Sequence, residues 1–311
     1  NIGALTINYY YDGTTLSPLT PANSSVNANM KLSFNANKAL QPTSISFDVP
    51  DDGGPDVNDC YFGATELIGQ TVSAMLQYCN SEGLITFTVS ATDTDGNAVS
   101  LTINYVYDTV GPTFTSYVST TVKPNTPLSV TTNEPFESSS ISITSSSNCS
   151  LGPTTFTGQI ISTTLLSCAS QGSFSLSFTA ADMLGNTATR VINYVYDSVV
   201  PTFVPGYPEN STMKANTTLR FSSFENIQTA SVVASSSCAL SVPVISYSQI
   251  TINLTSCPSE GPFSVTVTAL DMAGNVGTLV IDYVYDTVAP VLTPALAATG
   301  KVKPVSSLMF T

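Results

Sequence analysis

Aspartates are the residues of this sequence whose type and spacing most suggest a chemical role. Five of them lie close together and have glycines between them: Asp48, Asp51, Asp52, Asp56 and Asp59. Ca²⁺ is bound in proteins by six to eight oxygen ligands, which such a stretch can supply. The stretch lacks the bidentate Glu that ends an EF-hand loop, and a solvated acidic surface loop is the alternative interpretation.

A second set of aspartates recurs along the chain. Three Asp-x-x-Gly-Asn motifs begin at Asp93, Asp182 and Asp271, and three Tyr-Val-Tyr-Asp motifs end at Asp108, Asp197 and Asp286. These six residues are a separate set of candidate calcium ligands, placed at the junctions between repeats. Their alternative role needs no ion, because Asp favours turns by bonding its own backbone and can end a strand.

Other chemistry finds little support in the composition. The chain has no His, which excludes Ser-His-Asp and Cys-His catalysis and the usual zinc and copper sites. The net charge of -13 argues against nucleic acids and anionic membranes as partners. We therefore expect neither an enzyme nor a cofactor other than the candidate calcium. No apolar run is long enough to predict a membrane-spanning helix.

The six cysteines form three pairs, and the two members of each pair are 19 residues apart. This constant spacing predicts local disulfides, each stabilising the fold by about 3 kcal/mol in the chain-entropy treatment. The alternatives are free buried cysteines or pairing between domains. Disulfides at this density indicate an oxidising, extracellular location. The predicted bridges are Cys60–Cys79, Cys149–Cys168 and Cys238–Cys257.

The motifs and the cysteines share one period of 89 residues, which is the size of a domain. Residues 13–108, 109–197 and 198–286 are therefore predicted to be three complete domains. Residues 1–12 match a closing strand and residues 287–311 match opening strands. Each fragment is completed either within a longer array or by a neighbouring chain through strand addition.

Within each repeat the sequence predicts β-strands. Phe174, Leu176 and Phe178 alternate with hydroxyl residues, which indicates a strand with one buried face. The Asp-x-x-Gly-Asn motif then predicts a hairpin turn, because Gly allows positive φ. The paired tyrosines of the closing strand are interpreted as core packing rather than as a carbohydrate platform. Arg190 replaces a leucine of the other repeats and predicts an open end of that face. About seven short strands per repeat indicate an all-β, immunoglobulin-like sandwich.

Two segments carry a resemblance to a known family. Residues 271–275, Asp-Met-Ala-Gly-Asn, and residues 284–290, Val-Tyr-Asp-Thr-Val-Ala-Pro, resemble the immunoglobulin-like repeats of large bacterial surface adhesins. The resemblance implies sandwich domains arrayed in an extended, secreted stalk, with calcium held at the junctions of some such stalks by turn and linker aspartates. The local disulfides depart from the family pattern, so a eukaryotic surface protein with convergent or borrowed domains fits equally.

The linkers between repeats are short and contain proline, which predicts a semi-rigid array. The sequence thus indicates a structural component of an extracellular filament or surface appendage. Its partners would be copies of itself or adjoining repeats of a longer chain. The alternative is the rigid stalk of a cell-surface adhesin whose binding head lies elsewhere.

Five Asn-x-Ser/Thr sequons are candidate N-glycosylation sites. Chance alone accounts for this number in a chain so rich in Asn, Ser and Thr. The candidates are Asn23, Asn148, Asn210, Asn216 and Asn253.

Overall fold

The computed structural model describes residues 13–49, 59–116 and 120–293. These residues form three successive units, each made of one five-stranded and one four-stranded sheet. The expectations for residues 1–12, 294–311 and the aspartates at 51, 52 and 56 lie outside the described residues. No helix within the described ranges has the length and apolar character needed to cross a membrane.

In the first unit the sheets have the orders β1-β3-β7-β5, with β6 beside β7, and β2-β9-β8-β4. A 3₁₀ turn at Pro42–Ser44 precedes β4. The strands are β1 (Leu16–Pro18), β2 (Ser25–Val26), β3 (Met30–Ala36), β4 (Ser46–Asp48), β5 (Cys60–Phe62), β6 (Glu66–Ile68), β7 (Thr71–Cys79), β8 (Gly83–Thr92) and β9 (Ala98–Tyr107).

The second unit repeats this topology as β10-β12-β16-β14, with β15 beside β16, and β11-β18-β17-β13. Its 3₁₀ turn is Ser138–Ser140. The strands are β10 (Phe114–Thr115), β11 (Thr121–Val122), β12 (Thr126–Thr132), β13 (Ser142–Ser145), β14 (Cys149–Leu151), β15 (Thr155–Thr157), β16 (Ile160–Cys168), β17 (Gly172–Ala181) and β18 (Thr187–Tyr196).

The third unit has the sheets β19-β21-β25-β23, with β24 beside β25, and β20-β27-β26-β22. It differs at one corner, because β22 begins directly at Ile227 where the other units form a 3₁₀ turn. The strands are β19 (Phe203–Pro205), β20 (Thr212–Met213), β21 (Thr217–Ser223), β22 (Ile227–Ala234), β23 (Ala239–Leu240), β24 (Val244–Ser246), β25 (Gln249–Ser256), β26 (Gly261–Asp271) and β27 (Val276–Tyr285).

Each unit has its own hydrophobic core between its two sheets. The alternating residues predicted to face inward do so: Phe174, Leu176 and Phe178 are all buried. Burying one such side chain stabilises the fold by about 1.5–3 kcal/mol. The core interpretation of the paired tyrosines is confirmed as well, since Tyr105 and Tyr107 are buried like their counterparts in the other units.

In the first and third units a buried tyrosine hydroxyl of the last strand bonds the loop between the first two strands. The hydroxyl of Tyr105 donates a hydrogen bond to the carbonyl oxygen of Thr20 (2.8 Å), and that of Tyr283 donates to Tyr207 (3.5 Å). Burial raises the pKa of both phenols to about 12, so they remain protonated donors at neutral pH.

The three predicted disulfides are confirmed. In the first two units the bonded cysteines lie directly opposite each other on neighbouring antiparallel strands, as in the pair Cys60 and Cys79. Their Cα atoms are 4.0 Å apart. Each bridge therefore fastens an edge strand to its neighbour within one sheet, rather than linking the two sheets as in antibody domains.

Candidate functional site

The Asp-x-x-Gly-Asn turns have a fixed internal geometry. In the second unit, Oδ1 of Asp182 accepts hydrogen bonds from the backbone nitrogens of Leu184 (2.8 Å) and Asn186 (2.9 Å). Its Oδ2 accepts a bond from Nδ2 of Asn186 (2.8 Å). Asp271 and Asn275 repeat this arrangement in the third unit. The turn role weighed for these aspartates is thus real, and it fixes the carboxylates in place.

The same turns fasten each unit to the one before it. Nδ2 of Asn186 donates to the backbone carbonyl of Asp108 at 3.0 Å, and Nδ2 of Asn275 donates to that of Asp197 at 3.1 Å. The carboxylates of Asp108 and Asp197 in turn accept bonds from the linker nitrogens two residues further on. Two repeated motifs that are distant in sequence therefore meet at each junction.

A second polar contact crosses each junction. Nδ2 of Asn27, just after β2, donates to the carbonyl of Leu184 at 2.9 Å. Nζ of Lys123, at the same place after β11, donates to the carbonyl of Gly274 at 2.5 Å. Each turn is thus held by the preceding unit at both its asparagine amide and a backbone carbonyl.

Two clusters of three carboxylates lie at these junctions. Each contains the aspartate that ends one unit, the turn aspartate of the next unit, and a glutamate of that next unit. One carboxylate oxygen from each member lies within 4.8 Å of the others. The clusters are Asp108, Glu134 and Asp182, and Asp197, Glu225 and Asp271.

The surroundings of each cluster disfavour the charged form of its glutamate. Burial raises the pKa of the Glu134 carboxyl, and the nearby carboxylates of Asp108 and Asp182 raise it further. Burial, Asp197 and Asp271 do the same to Glu225. A cavity of about 140 Å³ adjoins the first cluster and is lined by all three of its acids together with Ser25. Hard oxygen ligands gathered in this way suit a divalent cation such as Ca²⁺.

The first unit differs at the equivalent position. In each unit one residue pairs with the turn aspartate, and these residues are Leu40, Phe136 and Ile227. The residue two positions earlier is a lysine in the first unit and a glutamate in the other two, namely Lys38, Glu134 and Glu225. Nζ of Lys38 lies 3.9 Å from Oδ2 of Asp93. The first unit therefore places an ammonium group of its own beside the turn aspartate.

Asp93 is further stabilised as an anion by two side chains. Oγ1 of Thr14 donates to its Oδ2 at 2.5 Å, and Nδ2 of Asn97 donates to the same oxygen at 2.9 Å. These bonds, the Thr14 bond first, hold the pKa of the Asp93 carboxyl well below its ordinary value.

The predicted junction aspartates are thus brought together in two of the three repeats. Asp108 meets Asp182, and Asp197 meets Asp271. The carboxylate of Asp286 accepts a bond from the nitrogen of Val288 (2.9 Å) and joins no such cluster among the described residues. Sequence reasoning missed the two glutamates, although each follows the end of its strand at the same distance in both repeats.

Calcium binding by the acidic stretch stays a prediction. Asp48 ends β4, and its Oδ2 accepts a bond from Oγ of Ser46 at 2.6 Å. Asp59 precedes β5, and the other three aspartates of the stretch lie outside the described residues.

The candidate glycosylation sites also stay predictions. Asn23, Asn210 and Asn216 each have φ near 63°, which is a turn conformation that Asn tolerates better than most residues. Asn148 is exposed beside the disulfide of the second unit. Asn253 is exposed on β25, where its Oδ1 accepts a bond from Oγ1 of Thr218.

Comparison with known proteins gives structural neighbours alone. No protein-family model and no curated protein matches the chain. The FdeC adhesin of Escherichia coli is 14% identical, covers 87% of this chain and 96% of its own, and gives a TM-score of 0.44. Invasin, a bacterial integrin-binding protein, is 16% identical over 91% of this chain, with a TM-score of 0.43. The match spans 62% of the invasin chain.

A tetra-tandem repeat from the extending region of a large adhesion protein is also similar. It is 19% identical, covers 91% of this chain and 75% of its own, and gives a TM-score of 0.30. At these identities the similarity concerns the fold alone. The chain is an all-β array of immunoglobulin-like sandwiches, as its own strand order shows.

Proposed function

We propose that this chain is a structural spacer, a semi-rigid array of sandwich domains within an extracellular filament or surface appendage. The observation that carries the proposal is the repetition of one docking contact at both junctions. Asn186 bonds the carbonyl of Asp108, and Asn275 bonds that of Asp197, at nearly equal distances. A contact made twice in the same way gives successive domains the same relative orientation, which a spacer requires.

Two further observations support this role. The three disulfides stabilise small domains in an oxidising environment outside the cell. The linkers leave little slack, because the linker carbonyl of Pro201 lies against the start of β27 at Gly277. The role proposed is mechanical rather than catalytic. The alternative remains the stalk of an adhesin, which shares these features and differs in needing no contact between copies.

We further propose that a divalent cation, with Ca²⁺ the best fit, binds each three-carboxylate cluster. The ligands would be Asp108, Glu134 and Asp182 at the first junction, and Asp197, Glu225 and Asp271 at the second. Each cluster draws its acids from two domains, so a bound cation would attract both domains to one point. Lys38 supports this assignment, because the repeat that lacks the glutamate supplies a positive charge of its own.

The docking contact can be tested by small-angle X-ray scattering on the intact chain. The variant with both Asn186→Ala and Asn275→Ala loses both turn-to-carbonyl bonds, so we expect a broader distribution of molecular lengths. Asn193→Ala, at an exposed position within β18, is the matched control. An unchanged distribution in the double variant would show that these bonds do not set the domain orientation.

Electron microscopy of native material separates the two versions of the role. Regular fibres in which neighbouring molecules touch side by side support the filament. Single beaded strings that carry a terminal head support the stalk. Compact particles without an extended array would contradict both.

A further inference from the structure

One corner of the third domain departs from the other two in two residues at once. The corner lies where β21 ends and where the β24–β25 hairpin turns. The backbone nitrogen of Ser223 donates to the carbonyl of Ser248 (2.7 Å), and that of Ile227 donates to Tyr247 (2.9 Å). These two bonds place Phe224 and Tyr247 at the same corner, which also contains Glu225 of the junction cluster.

Phe224 occupies a position that has a structural role in the other domains. The residue directly after the equivalent strand is Asn37 in the first domain and Asn133 in the second. Oδ1 of Asn37 accepts a bond from the nitrogen of Thr15 (2.8 Å), and Oδ1 of Asn133 accepts one from Thr113 (2.7 Å). Phenylalanine cannot accept such a bond, and its side chain is 87% exposed. The third domain thus gives up a polar contact and presents an aromatic ring.

Tyr247 has an unfavourable backbone conformation. It is the first residue of a two-residue hairpin turn and has φ of 51°, where the other domains have Gly69 and Gly158 at φ of 64° and 58°. A bulky residue with positive φ is an outlier that costs free energy. Its side chain is 82% exposed, so burial in the domain core does not offset this cost. Strain and exposed aromatic surface at one corner indicate a binding surface.

The second domain carries a complementary departure. Arg190 pairs with Phe178 at the position where the other domains have Leu101 and Leu279. Those leucines pack against their cores, whereas Arg190 is exposed and makes no ion pair with the described residues. A guanidinium group stacks readily on aromatic rings and pairs with carboxylates. The corner contains both kinds of partner, since Phe224 and Tyr247 supply aromatic rings and Glu225 supplies a carboxylate.

Arg190 and the Phe224–Tyr247 corner lie far apart along the length of one molecule. Arg190 is six residues before the end of β18, which corresponds to about 20 Å along a strand. This distance exceeds the reach of an arginine side chain toward the third domain of its own chain. We propose that the Phe224–Tyr247 corner binds Arg190 in the second domain of another copy of this chain.

This contact relates two copies displaced by one domain. Arg190 lies near the first junction, and the corner lies at the second, so copies that run in the same direction meet with a stagger of one repeat. A contact between two different surfaces leaves one of each free on the pair, and further copies can add to form a fibre. The inference rests on the proposed filament and names the lateral contact that such a filament would use.

Sedimentation velocity of the intact chain over a range of concentrations tests the contact. EDTA in the buffer keeps the result independent of any cation at the junctions. We expect the wild-type chain to associate as concentration rises. Phe224→Asn, Tyr247→Gly and Arg190→Leu each restore the residue of another repeat, so the fold tolerates them, and each should weaken association about tenfold or more. Ile68→Asn removes another well-exposed apolar side chain, 72% exposed, from the first domain and should have no effect.

The double variant Phe224→Asn with Arg190→Leu tests direct pairing. Its association should be as strong as that of the single variant that associates less, because both substitutions remove the same contact. Effects that add fully would show that the two residues do not meet. A wild-type chain that stays monomeric at every concentration would also overturn the proposal. Neither result would affect the spacer role, because scattering measures that role on single molecules.

Discussion

Single glycines decide how closely each linker approaches its domain. In the second domain the linker itself carries the glycine: a Cβ atom on Gly111 would lie 2.7 Å from the backbone of Thr187. In the third domain the strand carries it, and a Cβ atom on Gly277 would lie 2.0 Å from the carbonyl oxygen of Pro201. Ala188 holds the position of Gly277 in the second domain. At each close approach between linker and strand, one of the two segments therefore has a glycine.

Gly277→Ala should therefore destabilise the third domain. The atoms that the new methyl group meets belong to the backbone and cannot rotate away, so we expect a loss of about 1–3 kcal/mol in the free energy of unfolding. Urea unfolding measures this loss. Gly63→Ala is the control, since its Cβ would meet Met75 at an ordinary distance of 3.5 Å. Equal stability of the two variants would mean that the linker does not pack here in solution.

The junction glutamates predict a pH dependence with a definite sign. The pKa of Glu134 and Glu225 is raised in the folded chain from the ordinary value of 4.5. Between the ordinary and the raised value, the folded state binds more protons than the unfolded state. The free energy of unfolding therefore falls as the pH rises through this window.

This dependence should be seen in calcium-free buffer, in unfolding experiments that begin just above pH 3.8. The opposite contribution of Asp93, whose pKa is lowered, lies below that pH. Glu134→Gln together with Glu225→Gln should flatten the slope, because neither side chain can then titrate. Added Ca²⁺ should also remove it by offsetting the repulsion. A slope that persists in the double variant would assign the titration to other groups.

Long elements were predictable from sequence, whereas very short ones were not. The ten-residue strand Gly172–Ala181 shows period-two alternation, and the turn after it has its own motif, so both follow from local residues. The two-residue strands β2, β11 and β20 show no periodicity. They exist because they pair in parallel with the last strand of their unit, far away in sequence. The structure consequently has nine strands per unit within the described residues, not seven.

The candidate site was also predictable only in part, through its aspartates and not its glutamates. Its aspartates belong to motifs that recur with a constant period, and this spacing identified them as candidates. Glu134 and Glu225 have different neighbouring residues in the two repeats, so no sequence motif marks them. Topology alone brings them beside the turn, as in the pairing of Phe136 with Asp182. The exchange of Glu for Lys38 in the first unit also hides the position from a search for repeated carboxylates.

Charge at the two junctions should control the stiffness of the whole array. Each cluster gathers three carboxylates from two domains, and their repulsion acts directly across the junction. The proposed cation would reverse that effect. Removing it with a chelator should therefore loosen both junctions at once, and small-angle scattering should show a wider range of molecular lengths in EDTA than in Ca²⁺.

The chain itself suggests the variant that isolates this effect. Glu134→Lys with Glu225→Lys copies the arrangement of Lys38 and Asp93, in which an ammonium group stands beside the turn aspartate. This variant should keep the stiffness of the wild-type chain in Ca²⁺ and lose the response to EDTA. Glu134→Gln with Glu225→Gln should also lose the response, because it removes a ligand without supplying a charge. If the lysine variant still loosened in EDTA, the cation would bind elsewhere. A wild-type chain indifferent to EDTA would leave the aspartates as turn residues, with the asparagine contacts alone holding the domains in line.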